Sequence, residues 1–302
     1  MAIADRMMAN RDIVIAGVMS APEEFEISYS AAPVRNSRYV DMSTWCREHH
    51  VAFRSYATPD DIAALARETG ASAMLLAGWY HMVPGRIRAL CPRGCIAVHA
   101  SLLPRYRGGA PLNWAILNGD AEAGVSLFEL ADGVDYGVLY DQRRFPVAAD
   151  DYISDLLHKA EAATLDMVGD AVPRILAGCL LGRPQEGEAS YVLQRQPSDG
   201  AIDWSRSAAD IARLVRSVSR PYPGARAVLD GRPLVIWRAR VAEGAPRVFG
   251  VPGQIVRLAE LPFPAVVTGD GLLLVEELGG PDGFDLQAFA ACHQRRFHCV
   301  AR

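Results

Sequence analysis

Two short segments carry the residue types that are best suited to acid–base chemistry. His99 ends an apolar, β-branched run at residues 96–98, and a loop with Pro104 follows at once. Asp135 lies in a second segment, 132–137, which holds two aspartates and two glycines. A carboxylate beside an imidazole orients the ring and favours its protonated form. The pair therefore predicts a general acid–base site, whereas a lone histidine at a strand end is more often structural.

The sequence around these segments predicts alternating strands and helices. Strands are predicted at residues 13–19, 73–77, 95–98, 125–130 and 138–145, and helices at 58–70, after Pro84, at 111–117 and from 150 toward 178. This order is typical of a Rossmann-like α/β domain with a parallel sheet. Ligands bind at the carboxyl ends of the strands in such sheets, and we expect His99 to lie there. We place this catalytic domain at residues 1–183.

A change in composition marks a second domain. Residues 184–200 are rich in Gly, Pro, Gln and Glu, which predicts a linker. Beyond it, a helix capped by Ser207 precedes short strands, and Asp230 with Gly231 is a hairpin signal between two of them. We therefore predict that residues 201–302 form a small β-barrel that resembles an OB-fold. At roughly 100–200 residues per domain, the length of 302 residues agrees with two domains.

The charge and the cysteines argue against several classes of protein. The formal net charge of −4 argues against a protein that binds nucleic acid through bulk electrostatics. The six cysteines include one close pair, Cys91 and Cys95, without a second pair at zinc-site spacing, so we predict reduced thiols and no metal site. The first residues lack a signal-peptide pattern, and no apolar stretch reaches the ~20 residues of a membrane span. We therefore expect a cytoplasmic protein.

The two segments also carry a family resemblance. The string His-Ala-Ser-Leu-Leu-Pro-Arg-Tyr-Arg-Gly-Gly-Ala-Pro at residues 99–111, with Asp-Gly-Val-Asp-Tyr-Gly at 132–137, closely resembles the formyltetrahydrofolate-dependent formyltransferases. That family includes methionyl-tRNA formyltransferase, glycinamide ribonucleotide formyltransferase and the sugar N-formyltransferases. The similarity continues through residues 201–205, 220–224 and 235–237, so it covers most of the chain from about residue 10. It implies transfer of a formyl group from 10-formyltetrahydrofolate to an amine.

The resemblance implies a role for each matching residue. By motif position, His99 is the general acid/base and Asp135 is the carboxylate that holds and polarises it. The folate pocket is implied for two segments, with the cofactor-binding residues Gly78, Trp79, Tyr80, His81, Met82, Val83, Asp132, Gly133 and Val134. Acceptor contacts are expected from Ser101, Tyr106, Arg107 and Asn113. The alternatives are that Trp79 and Met82 belong to the core and that Arg107 is a solvated surface charge.

The chain departs from the family at one catalytic position. Ala97 stands where the family has an asparagine, and a methyl group cannot donate to an oxyanion. Another donor could substitute, such as a backbone N–H, a water or Asn113. Alternatively, the acceptor is unusually nucleophilic, or the protein binds folate without efficient turnover. We favour an active enzyme because His99, Asp135 and their flanking strings are intact.

A second departure lies at the N-terminus. Family members begin with a strand, a glycine-containing loop and a helix before the strand that resembles residues 13–19. In this sequence residues 3–8 correspond only to the tail of that helix. Either the true start lies upstream, or the domain lacks a central strand, which would expose sheet edges and remove part of the acceptor site.

The sequence also bears on the acceptor. Residues 20–40 contain three acids against two bases, together with Phe25, Tyr29 and Tyr39, which is unlike a loop that binds tRNA phosphates. We therefore favour a small acceptor amine, either an amino-sugar nucleotide or an amino-acid-derived metabolite. Methionyl-tRNA formylation and a non-catalytic folate-binding role are the alternatives. The apolar residues 261–264 suggest a homodimer contact, although the barrel could instead recognise the acceptor.

Overall fold

The computed structural model describes residues 1–26 and 33–298, and the chain divides into two compact units. The first unit consists of Met1–Pro111, Glu122–Pro146 and His158–Gln194, and the second of Leu112–Ala121, Val147–Leu157 and Arg195–Arg302. Each unit is thus built from several stretches of chain. The residues that were predicted as a linker, 184–200, are divided between the units after Gln194.

Helices and strands alternate through the first unit and give way to strands in the second. The helices are α1 Ala2–Met8, α2 Met42–Glu48, α3 Pro59–Thr69, α4 Gly85–Arg88, α5 Pro111–Asn118, α6 Ile153–Leu176, α7 Ala208–Val218 and α8 Leu286–Ala290. The strands are β1 Gly17–Ser20, β2 Glu24–Phe25, β3 Val34–Arg35, β4 Ala52–Ser55, β5 Met74–Ala77, β6 Cys95–His99, β7 Arg107–Gly108, β8 Glu122–Glu129, β9 Leu139–Pro146, β10 Tyr191–Val192, β11 Ala225–Leu229, β12 Arg232–Val241, β13 Ile255–Val256, β14 Ala265–Val267, β15 Leu272–Gly279 and β16 Phe297–His298. Short 3-10 turns cover Pro197–Gly200 and Pro281–Gly283.

The sheet that carries the predicted site is mixed, so the prediction of a parallel sheet is confirmed for β5 and β6 and is wrong for β8 and β9. Its strand order is β5-β6-β8-β9, in which β5 and β6 are parallel while β8 is antiparallel to both β6 and β9. Only residues 130–138 connect β8 to β9, and they contain no helix. Parallel neighbours need a crossover of a dozen or more residues, so this connection requires an antiparallel pair.

The first predicted strand is shorter and less buried than the sequence indicated. It was predicted at residues 13–19 as a strand buried on both faces, but β1 begins only at Gly17, and Val14 is 87% exposed. Within the described residues, β1 pairs with β4 alone, in a separate two-stranded parallel sheet. A strand with one neighbour has less of its surface covered, which explains why the apolar residues before Gly17 are not buried.

Local signals placed helix α3 correctly. Pro59 occupies its first turn, and the Asp61 carboxylate accepts a hydrogen bond from the backbone N–H of Thr58 at 2.8 Å. The helix ends at Thr69, directly before Gly70. Its buried residues Ile62 and Ala63 belong to the same hydrophobic cluster as the strand residues Leu76, Ala97 and Phe128. Helix α3 thus packs against the core that lies under the predicted site.

The second unit contains a six-stranded antiparallel sheet with the order β13-β14-β15-β12-β11-β16. The predicted hairpin joins β11 to β12, and both Asp230 and Gly231 have positive φ, at 50° and 78°. This is the geometry of a type I′ turn. Helix α7 begins after Ser207, whose hydroxyl accepts from the backbone N–H of Asp210, and packs on the sheet core.

Hydrogen bonds also connect the two ends of this sheet. The backbone N–H of Ile255 donates to Arg295, and that of Phe297 donates to Gly253, at 2.8 and 2.9 Å. These hydrogen bonds are compatible with a closed, OB-like barrel, which remains a prediction. The apolar residues at 261–264 are not the exposed patch that the sequence suggested, since Leu261 is buried and Phe263 packs against the same cluster.

Within the described ranges, none of the helices combines the length and apolar character that a membrane crossing requires. The same residues contain no group of three or more His, Cys, Asp or Glu side chains that could hold a metal ion. Five cysteines are free thiols, and Cys46, Cys91, Cys95 and Cys292 among them are buried. Cys299 and Tyr29 lie outside the described residues.

Candidate functional site

His99 is the last residue of β6, and both of its ring nitrogens face oxygen atoms. Its Nδ1 lies 3.5 Å from Oδ2 of Asp135, and its Nε2 lies 2.7 Å from the backbone carbonyl oxygen of Tyr106. The side chains of His99 and Asp135 are 11% and 20% exposed. The two residues that the sequence singled out for proton transfer therefore meet in a nearly dry environment, where such interactions are strengthened.

The contacts of His99 also limit what it can do. A carbonyl oxygen only accepts hydrogen bonds, so Nε2 is the nitrogen that donates in the 2.7 Å contact with Tyr106. To act as an acid or base on a substrate, one nitrogen must exchange its present partner for the substrate. Tyr106 lies in the loop that follows β6. Because its carbonyl binds the His99 ring, this loop helps to set the resting position of the ring.

Asp135 reaches His99 through the loop at residues 130–138. Because β8 runs antiparallel to β6, Ser126 lies opposite His99 and the end of β8 lies opposite Ile96. The loop must therefore return along the sheet before Asp135 can meet the imidazole. Asp135 has a φ of 51°, a left-handed conformation that is uncommon for residues other than glycine. Its Oδ2 also accepts a hydrogen bond of 2.8 Å from the backbone N–H of Gly108.

Ser126 and Gln142 hold the chain that follows His99, and neither was predicted. The buried Ser126 hydroxyl donates to the carbonyl of Ser101 at 2.6 Å and accepts from the backbone N–H of Leu103. The Gln142 amide donates to the Leu103 carbonyl and to the Ser126 hydroxyl. The only sequence signal was the polar Ser126 in the apolar part of β8, since Gln142 lies among other polar residues of β9.

The four predicted acceptor residues are placed differently from one another. The Ser101 hydroxyl donates to the Arg105 carbonyl at 2.6 Å, and Ser101 is buried. Tyr106 is partly buried with a φ of 57°. Asn113 belongs to the second unit, where its amide donates to the Ser217 carbonyl at 2.7 Å. The side chains of Ser101 and Asn113 thus have protein partners that an acceptor would have to displace.

Arg107 is a buried residue rather than a surface charge. Its guanidinium donates to Oε1 of Gln185 through Nε and Nη2, and to the Tyr191 hydroxyl through Nη1. It also lies over the rings of Tyr136 and Tyr191, with 4.8 and 5.7 Å to their centroids. A cation in this position fixes the loop that leads from His99 to β7.

A cavity of about 80 Å³ lies beside Asp135. Its lining is mainly apolar and includes five of the nine predicted cofactor residues together with Asp135 and Ala97: Leu76, Trp79, His81, Met82, Val83, Ala97, Val98, Phe128, Leu130, Ala131, Gly133 and Asp135. The predicted residues Gly78, Tyr80, Asp132 and Val134 do not line it. The volume is below the ~300–1,000 Å³ of typical ligand sites, so a whole pterin requires side chains at the mouth to move.

The rim of the cavity is aromatic. His81 packs on Tyr56 and Phe25 with ring centroids 4.4 and 5.3 Å apart, and Trp79 lies 4.8 Å from Tyr56. Phe25 was expected in an aromatic pocket or lid, whereas the sequence gave no signal for Tyr56. Burial lowers the pKa of His81, because removing the ring from water disfavours its charged form.

Two polar atoms in the cavity lining lack partners. Nε1 of Trp79 and Nε2 of His81 are buried without a hydrogen-bond partner in the described part of the chain. Leaving such groups unpaired costs about 1–3 kcal/mol each, which a bound ligand with polar edges would recover. Apolar walls with a few polar groups fit a flat heterocycle such as a pterin. The chemistry of the residues therefore fits the implied co-substrate.

Ala97 lies in the wall of this cavity. It pairs with Leu76 on β5 and with Phe128 on β8, and its methyl group is buried among them. The wall at this point is apolar and offers no side-chain donor where the family has an amide. An oxyanion that formed here would depend on His99 or on backbone groups.

The chain is similar to known proteins over most of its length. Residues 10–171 match the family described as "Formyl transferase", and residues 195–292 match "Formyl transferase, C-terminal domain". The methionyl-tRNA formyltransferase of Janthinobacterium sp. (strain Marseille) is 35% identical over 225 residues, which is 74% of this chain and 70% of that protein.

Two solved structures show the fold. HypX from Aquifex aeolicus in complex with tetrahydrofolic acid matches with a TM-score of 0.61 at 18% identity, over 79% of this chain and 41% of that one. The N-formyltransferase from Helicobacter canadensis, in complex with folinic acid and dTDP-3-aminofucose, matches with a TM-score of 0.61 at 15% identity, over 91% of this chain and 94% of that one. This chain thus spans less than half the length of HypX.

The family matches extend over the segments that contain His99 and Asp135 and continue through most of the second unit. Together with the similarity to a formyltransferase over nearly three quarters of the chain, they identify this chain as a member of the formyltransferase family.

Proposed function

We propose that this protein transfers a formyl group from 10-formyltetrahydrofolate to a primary amine of a small acceptor. The observation that carries the proposal is the His99–Asp135 pair, 3.5 Å apart, next to a cavity lined by Trp79 and His81, each with a buried ring nitrogen that has no hydrogen-bond partner among the described residues. When bound, 10-formyltetrahydrofolate supplies an electrophilic formyl carbon. The unpartnered nitrogens of Trp79 and His81 would pair with its polar edges.

The residues of this chain would then transfer one proton during the reaction. Transfer removes a proton from the acceptor amine and returns one to the leaving nitrogen. His99 is placed to take up and return that proton once it releases the Tyr106 carbonyl. Asp135 keeps the ring oriented and, with Gly108 donating to it, stays in place during the exchange. Once protonated, the ring also supplies positive charge for a developing oxyanion.

Two ion pairs support a small acceptor. Residues 20–40, which the sequence predicts not to bind tRNA, contain two basic residues, and both form ion pairs. Arg35 lies 2.8 Å from Glu23, and Arg38 lies 2.5 Å from Glu161. Both guanidinium groups therefore contact carboxylates instead of being available to bind phosphates. The H. canadensis enzyme of similar fold holds an amino-sugar nucleotide, which is the first acceptor class to test.

Methionyl-tRNA formylation is the second candidate, because the Janthinobacterium relative at 35% identity carries that name. The two candidates differ in salt dependence. A protein that neutralises 6–10 phosphates loses about 10³–10⁵ in affinity between 50 and 200 mM salt, whereas a small amine does not require such contacts.

An assay of 10-formyltetrahydrofolate consumption tests both candidates. Amino-sugar nucleotides, amino-acid-derived amines, initiator methionyl-tRNA and a blank without acceptor are compared at low and high salt. We expect consumption with a small amine that changes little with salt. Turnover with the charged tRNA alone would replace the first candidate by the second. Consumption in the blank would indicate hydrolysis, and no consumption with any acceptor would refute both.

Introducing the family's amide at Ala97 tests how the oxyanion is stabilised. We expect Ala97→Asn to leave the transfer rate unchanged or to raise it by up to about tenfold, because the side chain borders the cavity and an amide adds a donor there. The rate is measured with the best acceptor from the panel, and Ala97→Val is the control that adds bulk without a donor. A collapse of folinic acid or acceptor binding in Ala97→Asn alone would show that the alanine is specifically required.

A further inference from the structure

Gln185 connects the region that was predicted to be a linker to the turn that carries Asp135. Its side-chain Nε2 donates to the backbone carbonyls of Asp135 and Gly137, each at 2.8 Å. These carbonyls flank Tyr136, so the amide spans the turn directly after the carboxylate that faces His99. One side chain thereby binds two backbone carbonyls of this turn.

The turn needs such support because its backbone is unfavourable on its own. Asp135 has a φ of 51°, and residues other than glycine held in that region cost about 1–3 kcal/mol unless their surroundings stabilise them. The direction of the Asp135 carboxylate follows from this backbone conformation. A turn that relaxed to an ordinary φ would move Oδ2 away from both His99 and Gly108.

Arg107 fixes the orientation of the Gln185 amide. Its Nε and Nη2 donate to Oε1 of Gln185 at 3.1 and 2.5 Å, which leaves the amide NH₂ facing the carbonyls of the turn. The residue after Arg107, Gly108, donates from its backbone to the Asp135 carboxylate. Arg107 and Gly108 therefore hold Asp135 at two points. Gly108 binds the Asp135 carboxylate directly, and Arg107 acts on the Asp135 backbone through Gln185.

We propose that Gln185 is a positioning residue for the transfer reaction, and that it acts by holding the Asp135 turn in the conformation that places the carboxylate at His99. The inference rests on the proposed function, since it assigns Gln185 to the same site. It also makes a structural statement, namely that the environment of the His99 ring depends on the Gln185 amide, and this statement can be tested without turnover.

The kinetic test uses two substitutions that separate the donor and acceptor roles of the amide. Gln185→Met removes both, whereas Gln185→Glu keeps the acceptor for Arg107 and loses the donor to the turn. We expect kcat to fall at least about tenfold in both, while the Kd of folinic acid changes by less than about threefold. Full activity in Gln185→Glu would show that only the contact with Arg107 matters and would overturn the proposal.

The double variant tests whether Gln185 acts through Asp135. In an Asp135→Ala background, Gln185→Met is expected to lower kcat by less than about twofold further, because residues that act through one another are not additive. A full additional loss in that background would contradict the proposal. The matched control is Gln254→Met in the second unit, which removes a glutamine whose Oε1 accepts a hydrogen bond from the backbone N–H of Val251. We expect Gln254→Met to keep the wild-type kcat.

A spectroscopic measurement separates failure of this inference from failure of the proposed function. The ring ¹⁵N signals of His99, assigned by their loss in His99→Ala, are compared between the wild-type chain and Gln185→Met. We expect these signals to move in Gln185→Met and to stay in place in Gln254→Met. Unchanged His99 signals would overturn the positioning role even if the enzyme is active. A shift in a chain that transfers no formyl group would leave the positioning role standing and refute the function.

Discussion

Replacing His99 with alanine is expected to lower the rate of formyl transfer by about 10³-fold, because it removes the group that is placed to exchange a proton with the acceptor amine. His99 is the last residue of β6, and its imidazole ring contacts Asp135 and the Tyr106 carbonyl. It is not among the residues that line the cavity, so we expect the Kd of folinic acid to stay within about threefold of the wild-type value. Single-turnover rates with the best acceptor measure the first effect, and titration with folinic acid measures the second.

The matched control for this substitution lies in the second unit. His293 is exposed there, and its Nδ1 accepts a hydrogen bond from the backbone N–H of Arg257. His293→Ala removes the same chemical group and is expected to keep wild-type transfer. If His99→Ala retained more than about a tenth of the activity, His99 would not be the general acid/base, and proton transfer would have to pass through solvent or another residue.

Local sequence signals predicted the elements whose causes are local. Helix α3 has its proline, its acidic first turn and its terminal glycine within residues 58–70, and the structure confirms it. The Asp230–Gly231 hairpin is equally local, since the turn type depends on two residues. Periodicity also indicated the strands around the site, with ends that differ by a few residues from β5, β6, β8 and β9.

Strand direction and strand neighbours were harder to predict because they depend on distant parts of the chain. An apolar run at residues 13–19 is typical of a buried strand, but burial requires neighbours on both sides, and β1 pairs with β4 alone among the described residues. The antiparallel direction of β8 and β9 could have been inferred from the short connection between them. The strand–helix alternation upstream favoured a parallel sheet and concealed that signal.

The sequence predicted the candidate site residues whose role follows from their chemical type. It did not predict the residues that hold them in place through contacts with distant parts of the chain. The imidazole and the carboxylate stand out by type, and the structure brings them together. Ser126, Gln142 and Gln185 are uncharged, and their roles depend on contacts with residues 16 to 78 positions away along the chain. The same holds for Arg107, whose sequence neighbours give no indication that Gln185 and Tyr191 bury it.

Gly137 shows how closely the Asp135 turn is packed, and replacing it is expected to lower transfer by about 10²-fold. A Cβ at this position would overlap the backbone carbonyl oxygen of Glu129, the last residue of β8, which is paired with Ile96 of β6. The turn itself would therefore shift, carrying with it the Gly137 carbonyl that Gln185 binds and the Asp135 carboxylate. Overpacking of this kind also costs about 1–3 kcal/mol of stability.

The measurement has to separate a displaced turn from an unfolded chain. Transfer rates and the melting temperature of Gly137→Ala are compared with those of Gly279→Ala, whose Cβ would make only an ordinary contact of 3.5 Å with Nε1 of Trp237. We expect the control to match the wild type in both measurements. We expect Gly137→Ala to remain folded at 25 °C, with the transfer rate falling far more than the stability. Wild-type transfer in Gly137→Ala would show that the position of Asp135 tolerates movement, and the requirement for a fixed imidazole–carboxylate pair would then be wrong.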